Sequence, residues 1–228
     1  MGRLEAAQSP PPLICRKART CRAAQIEYRR PSLKHAVIFA HPRARSFTAA
    51  VAEAYAGAVR ACGDMVEVRD LYRIGFDPCL RAEEIPGEAD PAPAPDVAAE
   101  RERLKDCGVF ALVYPFWLNA PPAMLKGYLD RVFGFGFAFG GEGHSFNPLL
   151  GGRKLISFTS SGAPTQWVEQ TGALAAEQTL FDRYFAALCG MTTLAHVHFG
   201  GVVNGASPSF VKARLGDVER TVIKHFGR

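Results

Sequence analysis

The chain has 228 residues, 48% of them hydrophobic, which is enough for one large domain or for one domain with a tail. No apolar run approaches the ~20 residues that span a bilayer, and the N-terminus lacks the apolar core of a secretory signal, so the sequence predicts no integral membrane segment. The net charge is +5, but the first 34 residues alone carry +6 and the rest carry −1. This distribution argues against nucleic-acid binding by the folded part.

The N-terminal extension, residues 1–32, is basic, contains "SPPP" and has no hydrophobic periodicity. Such a composition predicts disorder. The extension could contact nucleic acid, a membrane surface or a targeting receptor. It could equally be a solvated segment without a partner, or the result of a start codon placed too early. We therefore expect a folded domain over residues 33–228, preceded by this extension.

The six cysteines show no pattern of a metal or redox site. None of them forms a C-x-x-C pair, and no Cys/His cluster has the spacing of a zinc site. The sequence therefore predicts no bound metal. This use of cysteine is typical of a reducing compartment, and we expect a cytoplasmic protein.

Strand and helix patterns alternate along the rest of the chain. Short apolar segments predict five strands: 35–40, 65–71, 109–115, 153–162 (including the loop that follows the strand) and 195–202. Apolar and polar residues alternate in 65–71, which is typical of a strand nearer the sheet edge. Helical patterns lie between and after them, over 46–63, 96–108, 120–133, 168–190 and 208–227. The second helix is expected to be capped by Asp96, and the five prolines of 76–95 predict a long loop without helix.

This alternation predicts a single α/β fold. Strands separated by helices of this length form a doubly wound, five-stranded parallel sheet with helices on both faces. Ligands of such sheets bind beyond the carboxyl ends of the strands, at the switch point. The loops after the first, third and fourth strands are therefore the candidate site.

The first of these loops, "HPRARSF", favours an anion. Arg43 and Arg45 supply positive charge, His41 and Ser46 supply polar groups, and the loop runs into a helix N-terminus. A phosphate is the anion that this loop would be expected to bind, although the same residues also fit a capped helix with exposed arginines. The chain lacks a P-loop, and no G-x-G-x-x-G follows the first strand, which argues against an ordinary Rossmann site for NAD.

The second loop, "YPFWLNAP", places two large aromatic residues on a turn. Pro115, Phe116, Trp117, Leu118 and Asn119 follow a strand whose end faces the same crevice. A planar heteroaromatic ligand would explain this apolar surface. The alternative is that Phe116 and Trp117 fold back onto the core.

The third loop offers Thr159, Ser160, Ser161 and Gly162. Small residues let backbone N–H groups come close to a ligand. Together with the other two loops, this one would complete a site with a phosphate corner and a flat wall.

At these loops the chain resembles the flavodoxin-like NAD(P)H:quinone oxidoreductase family. "HPRARSFT" matches the family's first loop, and "PFWLNAPPAMLKGYLDRVF" matches its second segment, which is the most specific match. "DLYRIGFDP" after the second strand and "FAFG" after the third helix agree as well. The resemblance covers roughly residues 35–226.

The resemblance implies a flavodoxin-like fold, a homodimer and a tightly bound flavin, usually FAD, with FMN as the alternative. NAD(P)H would give a hydride to flavin N5, and two electrons would pass to a quinone-like acceptor by ping-pong kinetics. The phosphate and adenosine side would be held by residues that follow the first strand: His41, Arg45, Ser46, Phe47, Thr48 and Ala49. The ring would be held by residues of the other two loops: Pro115, Phe116, Trp117, Leu118, Asn119, Thr159, Ser160, Ser161 and Gly162.

The chain also departs from the family pattern. The mammalian quinone reductase has a Tyr and a His after the third loop, and by alignment Trp167 and Ala173 stand there. The catalytic residues are therefore unknown, with Trp167 a candidate near the flavin edge. The resemblance also leaves open a regulatory flavoprotein subunit of a potassium-efflux transporter. Phe135, Phe137 and Phe139 would share one face if extended, and we expect burial against a second subunit; the alternative is that they fold under a local loop.

Overall fold

The computed structural model describes residues 31–87, 91–141 and 146–227. Nearly all of the predicted extension, 1–32, lies outside these residues, so the domain boundary stays a prediction. Within the described part, five parallel strands form one sheet and two short strands pair antiparallel. The strands are β1 (Lys34–Phe39), β2 (Met65–Asp70), β3 (Val109–Pro115), β4 (Phe139–Gly140), β5 (Asn147–Pro148), β6 (Lys154–Ser160) and β7 (Thr192–Phe199). The sheet order is β2-β1-β3-β6-β7.

Helices cover both faces of this sheet. They are α1 (Phe47–Ala61), α2 (Pro95–Leu104), α3 (Ala123–Val132), α4 (Thr165–Gln170), α5 (Ala173–Glu177), α6 (Phe185–Cys189) and α7 (Pro208–Phe226). A π-helical segment, Gln178–Tyr184, joins α5 to α6 without a break. This arrangement confirms the predicted fold class, and β2 lies at the sheet edge as its alternating sequence indicated.

The central strand β3 divides the core into two layers. Every one of its residues is buried, because strands lie on both sides of it and helices on both faces. Phe110 and Leu112 pack on the face that carries α2 and α3, whereas Val109 and Ala111 pack on the face that carries α1 and α7. The alternation follows from the two-residue period of a strand.

Two of the predicted helices differ in the structure. The helix predicted over 168–190 is interrupted at Gly172, whose φ of +73° lies in the left-handed region and cannot continue a right-handed helix. The second helix begins at Pro95 with Ala94 at its cap, so the prediction that Asp96 caps it was wrong. Asp96 instead accepts a hydrogen bond of 2.7 Å from the buried guanidinium of Arg131.

Arg131 also fixes the proline-rich loop. Its guanidinium donates to the Glu84 carboxylate at 2.9 Å and 2.8 Å and to the carbonyl of Asp77 at 2.5 Å. The described part of the loop packs around this cation and contains a 3₁₀ turn at Ala82–Glu84, which the proline content did not predict.

Residues 134–141 after α3 do not form one extended segment, which agrees with the alternative that their phenylalanines fold under a local loop. Gly136 adopts φ +80° in a tight turn. Phe137 packs against the core, with its ring 5.8 Å from that of Phe133 and the Arg101 guanidinium 5.8 Å above it. Phe135, Phe137 and Phe139 therefore do not form one exposed row. Among the described residues, no helix is both long and apolar enough to cross a membrane.

Candidate functional site

The loops after β1, β3 and β6 meet at the carboxyl edge of the sheet. Backbone hydrogen bonds hold them side by side: the Ala40 N–H donates to the Val113 carbonyl at 3.4 Å, and the Phe116 N–H donates to the Ser160 carbonyl at 2.6 Å. Because β1, β3 and β6 are parallel and adjacent, their ends necessarily lie together. The predicted convergence of the three loops is therefore present in the structure.

The first loop builds a helix N-terminus with positive charge around it. The Ser46 hydroxyl caps α1 by accepting from the Ala49 N–H at 3.1 Å. The remaining N–H groups of the first turn point out of the helix, where an anion can accept them. Arg43 and Arg45 are exposed beside them. The capped helix with exposed arginines is therefore present, and the cap leaves the other N–H groups of the first turn open to an anion.

His41 is held as a neutral ring at the base of this loop. The Arg43 N–H donates to its Nδ1 at 3.1 Å. Burial, and secondarily the nearby arginines Arg43 and Arg73, lower the pKa of His41 below its ordinary value, against the opposing effect of that hydrogen bond. His41 therefore adds a polar edge to the anion corner without adding charge.

The second loop makes a tight turn with a strained tip. Trp117 and Ala120 exchange hydrogen bonds of 3.1 Å and 3.2 Å, and Leu118 and Asn119 between them have φ of +51° and +56°. Asn tolerates this left-handed conformation, whereas Leu rarely adopts it. The Asn119 side chain donates to the Ala173 carbonyl at 3.1 Å, which ties the tip to α5. Strain of this kind clusters at ligand sites.

The two aromatic residues of this loop differ in their surroundings. Trp117 is 42% exposed and borders the crevice, so it is not part of the core. Phe116 is partly buried against the core, with its ring 4.7 Å from that of His198, and also lines the crevice. The alternative of aromatics folding onto the core therefore holds in part for Phe116 and does not hold for Trp117.

Three adjoining cavities line this edge of the sheet. The first, about 290 Å³, is the anion corner, walled by His41, Arg43, Arg45, Ser46, Phe47, Thr48, Pro115, Phe116, Trp117, Ser160, Ser161, Gly162 and residues 202–204. The second, about 590 Å³, is walled by Phe116, Leu118, Asn119, Ser161, Gly162, Ala163, Trp167, Val168, Thr171, Gly172, Ala173 and Ala176. We call the first two cavities together the groove, because they share Phe116, Ser161 and Gly162.

The third cavity, about 480 Å³, adjoins the anion corner on its other side. The two share Arg45, Ser46, Phe47 and residues 202–204, and Ala49 lines the third cavity. Almost all predicted site residues therefore lie around one continuous space. Residues 202–204 were missed, because they follow the fifth strand, whose end was not among the loops selected.

Thr159 is the predicted site residue that does not face this space. It is buried, and its hydroxyl lies 2.7 Å from Nε2 of His196 and 2.9 Å from Nδ1 of His198. His196 in turn contacts the Asp182 carboxylate through Nδ1 at 2.6 Å. The spacing of the histidines in "AHVHF" was a usable signal, since residues two apart share one face of a strand.

A buried carboxylate lies on the same side of the sheet. The Tyr114 hydroxyl donates to Glu177 at 2.9 Å, and both side chains are buried. Burial, with a smaller contribution from the Asp182 carboxylate, raises the pKa of Glu177 to about 7. Glu177 can therefore exchange a proton near neutral pH.

Nothing in the described residues resembles a metal centre. No group of three or more His, Cys, Asp or Glu side chains in 31–87, 91–141 or 146–227 could hold a metal ion. Cys62, Cys79, Cys107 and Cys189 are free thiols. Burial raises the pKa of the Cys107 thiol to about 11 and that of Cys189 to about 12, so neither is a reactive thiolate.

Comparison with known proteins agrees with this architecture. A family model described as "Flavodoxin-like fold" (Flavodoxin_2) matches residues 33–222. An uncharacterized NAD(P)H oxidoreductase of Haemophilus influenzae is 30% identical over 171 residues, which cover 75% of this chain and 85% of that protein.

Solved structures agree as well. An NAD(P)H:quinone oxidoreductase from Methanothermobacter marburgensis is 28% identical with a TM-score of 0.72, covering 86% of this chain and 98% of that one. An FMN-dependent NADH-azoreductase from Bacillus anthracis, solved in complex with FMN, has the same fold with a TM-score of 0.66. The two sequences are 15% identical, and the match covers 86% of this chain and all of that one. The chain therefore belongs to the flavodoxin-like NAD(P)H oxidoreductase family, which confirms the resemblance predicted from its sequence.

Proposed function

We propose that this protein is a flavin-dependent NAD(P)H oxidoreductase that passes two electrons from NAD(P)H to a quinone-like acceptor by ping-pong kinetics. The observation that carries the proposal is the groove. An anion corner at a helix N-terminus opens directly into a space walled by exposed aromatic and apolar side chains. This pairing of a phosphate site with a flat apolar wall fits a flavin nucleotide.

The donors of the anion corner fit the phosphate of a flavin. The N-terminus of α1 offers oriented N–H groups, Ser46 offers a hydroxyl, and Arg43 and Arg45 neutralise negative charge. His41 is neutral and can donate or accept. These residues would bind the phosphate of the cofactor and fix its position.

The apolar wall fits the ring system. Trp117, Leu118 and Trp167 expose hydrophobic surface around the second cavity and its junction with the first. When bound there, a flavin would supply the chemistry itself, accepting a hydride equivalent from NAD(P)H and passing two electrons on. The chain would orient the ring, exclude water from one of its faces and leave the other face open to donor and acceptor in turn.

The arrangement of the cavities bears on whether FMN or FAD is bound. The groove alone accommodates the part that FMN and FAD share. The third cavity continues from the anion corner and is the place where the adenosine half of FAD would lie. Acid extraction of the bound cofactor, followed by chromatography against both standards, distinguishes FAD from the FMN of the Bacillus anthracis azoreductase.

Steady-state kinetics test the proposed reaction. Purified protein supplied with FMN or FAD should oxidise NADH or NADPH in the presence of a benzoquinone, and initial-rate plots at several acceptor concentrations should give parallel lines. Arg45→Ala should lower turnover at limiting flavin and recover at excess flavin, because it weakens binding only. Protein that binds neither flavin and oxidises no NAD(P)H would overturn the proposal.

A homodimer is part of the proposal. A cavity of about 420 Å³ between α3 and the π-helical segment is mainly apolar, and Leu180 and Tyr184 beside it are 57% and 65% exposed. Such surface supports burial against a second copy. Sedimentation should show a dimer, and Tyr184→Asp should shift it toward monomer.

The regulatory-subunit alternative and the cytoplasmic location stay predictions. Copurification with a membrane fraction would favour the former.

A further inference from the structure

A continuous line of hydrogen bonds runs from the groove into the protein interior. It begins at the Ser161 hydroxyl, 3.0 Å from Nε2 of His198, and continues from Nδ1 of that ring to the Thr159 hydroxyl over 2.9 Å. The same hydroxyl lies 2.7 Å from Nε2 of His196. The line ends where Nδ1 of His196 meets the Asp182 carboxylate at 2.6 Å. We call these five residues the histidine chain.

The strand geometry explains why these groups are in line. Thr159 and Ser161 are two residues apart at the end of β6, and His196 and His198 are two apart on the neighbouring β7. Each pair therefore presents its side chains to the same face of the sheet. Asp182 reaches that face from the π-helical segment.

With both histidines neutral, every donor of the histidine chain points inward, from Ser161 toward Asp182. Ser161 donates to Nε2 of His198, whose Nδ1–H donates to Thr159. Thr159 donates to Nε2 of His196, whose Nδ1–H donates to Asp182. A neutral imidazole has one donor and one acceptor nitrogen, and a hydroxyl has one proton, so every bond of the histidine chain has its proton, and the bond from Ser161 to the Ala163 carbonyl is the one not made.

One added proton reverses the three hydrogen bonds between His196 and Ser161, so that their donors point outward to the groove. His196 then carries two N–H groups and donates to Thr159 as well as to Asp182. Thr159 donates to Nδ1 of His198, whose Nε2–H donates to Ser161. The Ser161 hydroxyl is free to donate to the Ala163 carbonyl, 2.9 Å away. The two arrangements differ by one proton and by the tautomer of His198.

The one carboxylate of the histidine chain, that of Asp182, lies against His196. Asp182 is a carboxylate that also accepts from the Ser157 hydroxyl at 2.6 Å, and it stabilises an adjacent imidazolium. Burial, and secondarily His196, lower the pKa of His198 to about 4, so that ring stays neutral. Glu177 and Tyr114 lie on the same face; burial raises the pKa of both, with smaller contributions from Asp182 to Glu177 and from Glu177 and Asp182 to Tyr114.

We propose that the histidine chain is a proton path that carries one proton from the Asp182–His196 pair to the groove, where the Ser161 hydroxyl passes it to a bound quinone-like acceptor. The inference rests on the proposed function for its acceptor. Reduction of a quinone to a hydroquinone takes up two electrons and two protons. NAD(P)H supplies the two electrons and one proton as a hydride equivalent, so one proton must come from elsewhere.

Each transfer along the path leaves the bonds balanced. The Ser161 O–H bond breaks as its proton passes to the acceptor oxygen, and the Nε2–H bond of His198 breaks to restore the hydroxyl. Thr159 passes its proton to Nδ1 of His198 and receives the Nε2 proton of His196. The chain ends in its neutral arrangement and takes one proton from solution after the product leaves. Ser161 would be the catalytic residue, and His198 and Thr159 act through it.

Histidine nitrogen-15 NMR of the full-length protein tests the path apart from any activity. On acidification, His196 should become an imidazolium while His198 stays neutral and switches from its Nδ1–H to its Nε2–H tautomer with the same midpoint. Thr159→Ser keeps the bridging hydroxyl and should keep this coupling, whereas the isosteric Thr159→Val should abolish it. A wild-type His198 that keeps one tautomer while His196 titrates, or that takes the proton itself, would overturn the proposal.

Kinetics then test the link to the acceptor. With saturating flavin, Thr159→Val should lower the rate of acceptor reduction by about 100-fold, with KM for NAD(P)H unchanged, and Thr159→Ser should stay near the wild type. Equal rates of acceptor reduction in Thr159→Val and Thr159→Ser would overturn the proposal that the histidine chain delivers a proton to the acceptor. A coupled tautomer switch in a protein without turnover overturns only the proposed function, and normal turnover without the switch overturns only the path.

Discussion

The ring of Trp117 lies 5.8 Å from the ring of His41, at an angle of 59°. The contact joins the loop after β3 to the loop after β1, so the apolar wall and the anion corner meet at these two side chains. Trp117 remains 42% exposed there, which separates its role from that of the core aromatics.

Trp117→Ala should therefore weaken flavin binding at little cost to the fold. A buried tryptophan replaced by alanine costs about 3–5 kcal/mol because it leaves a cavity, whereas this exposed ring should cost less than about 2 kcal/mol. Denaturant melts of the flavin-free protein measure the cost, and a flavin titration measures the affinity. A large loss of stability with unchanged affinity would return Trp117 to a structural role.

Ser46→Ala tests the other end of the groove. It removes the hydroxyl that caps α1 and that borders the anion corner, so we expect a loss of about 1 kcal/mol in stability together with weaker flavin binding. The matched control is Ser207→Ala, titrated with FMN, because Ser207 caps α7 beside the third cavity and lines neither cavity of the groove. Equal effects of both variants on flavin affinity would contradict a phosphate at Ser46.

Glu177→Gln should change how stability depends on pH. The folded-state pKa of about 7 lies above the ordinary 4.5, so the unfolded chain loses this proton first and the wild type loses stability as pH rises from 4.5 to 7. The amide keeps an acceptor for Tyr114 and removes the titration. The variant should be more stable than the wild type by about 2 kcal/mol at pH 8, and much closer to it at pH 4.5.

Urea melts at the two pH values make this comparison. Exposed Glu169 on α4 offers a control, and Glu169→Gln should leave the pH profile unchanged. His198 acts in the opposite sense, because its folded-state pKa of about 4 lies below 6.5 and stability is lost as pH falls from 6.5 to 4. A Glu177→Gln profile that runs parallel to the wild type would contradict the raised pKa of Glu177.

Two helical glycines should respond to alanine with opposite signs. A Cβ on Gly127 in α3 would overlap the backbone of Pro78, so Gly127→Ala should cost about 2 kcal/mol or more. Gly57 in α1 is exposed with nothing near its missing Cβ, and Gly57→Ala should stabilise by about 0.5–1 kcal/mol. Thermal melts of the two variants check whether each change in stability has the expected sign. Loss of stability in both would show that the packing of α3 on Pro78 is not what makes alanine unfavourable at Gly127.

The N-terminal extension should be dispensable for binding. Its basic, aperiodic composition gives it no apolar face with which to join a core. A chain beginning at Ser32 should keep its flavin affinity and its melting temperature. Loss of either one would mean that the extension belongs to the fold or to an interface.

The elements that the sequence predicted best are those with local signals. The run of β3 and the Ser46 cap are readable because burial and capping depend on neighbouring residues. The break at Gly172 had a local signal in the glycine itself, which is exposed with nothing near its missing Cβ, whereas no local pattern encodes the π-helical segment. The histidine chain was missed because His196 meets Asp182 only after β7 is laid beside β6, although the spacing of its two histidines was readable.

A flavin titration of the purified, flavin-free protein tests the central claim most directly. Flavin fluorescence should be quenched at one flavin per chain with FMN or FAD, and both Trp117→Ala and Ser46→Ala should weaken the binding while their flavin-free forms stay folded. A folded wild-type protein in excess that leaves the fluorescence of both flavins unchanged would contradict the account.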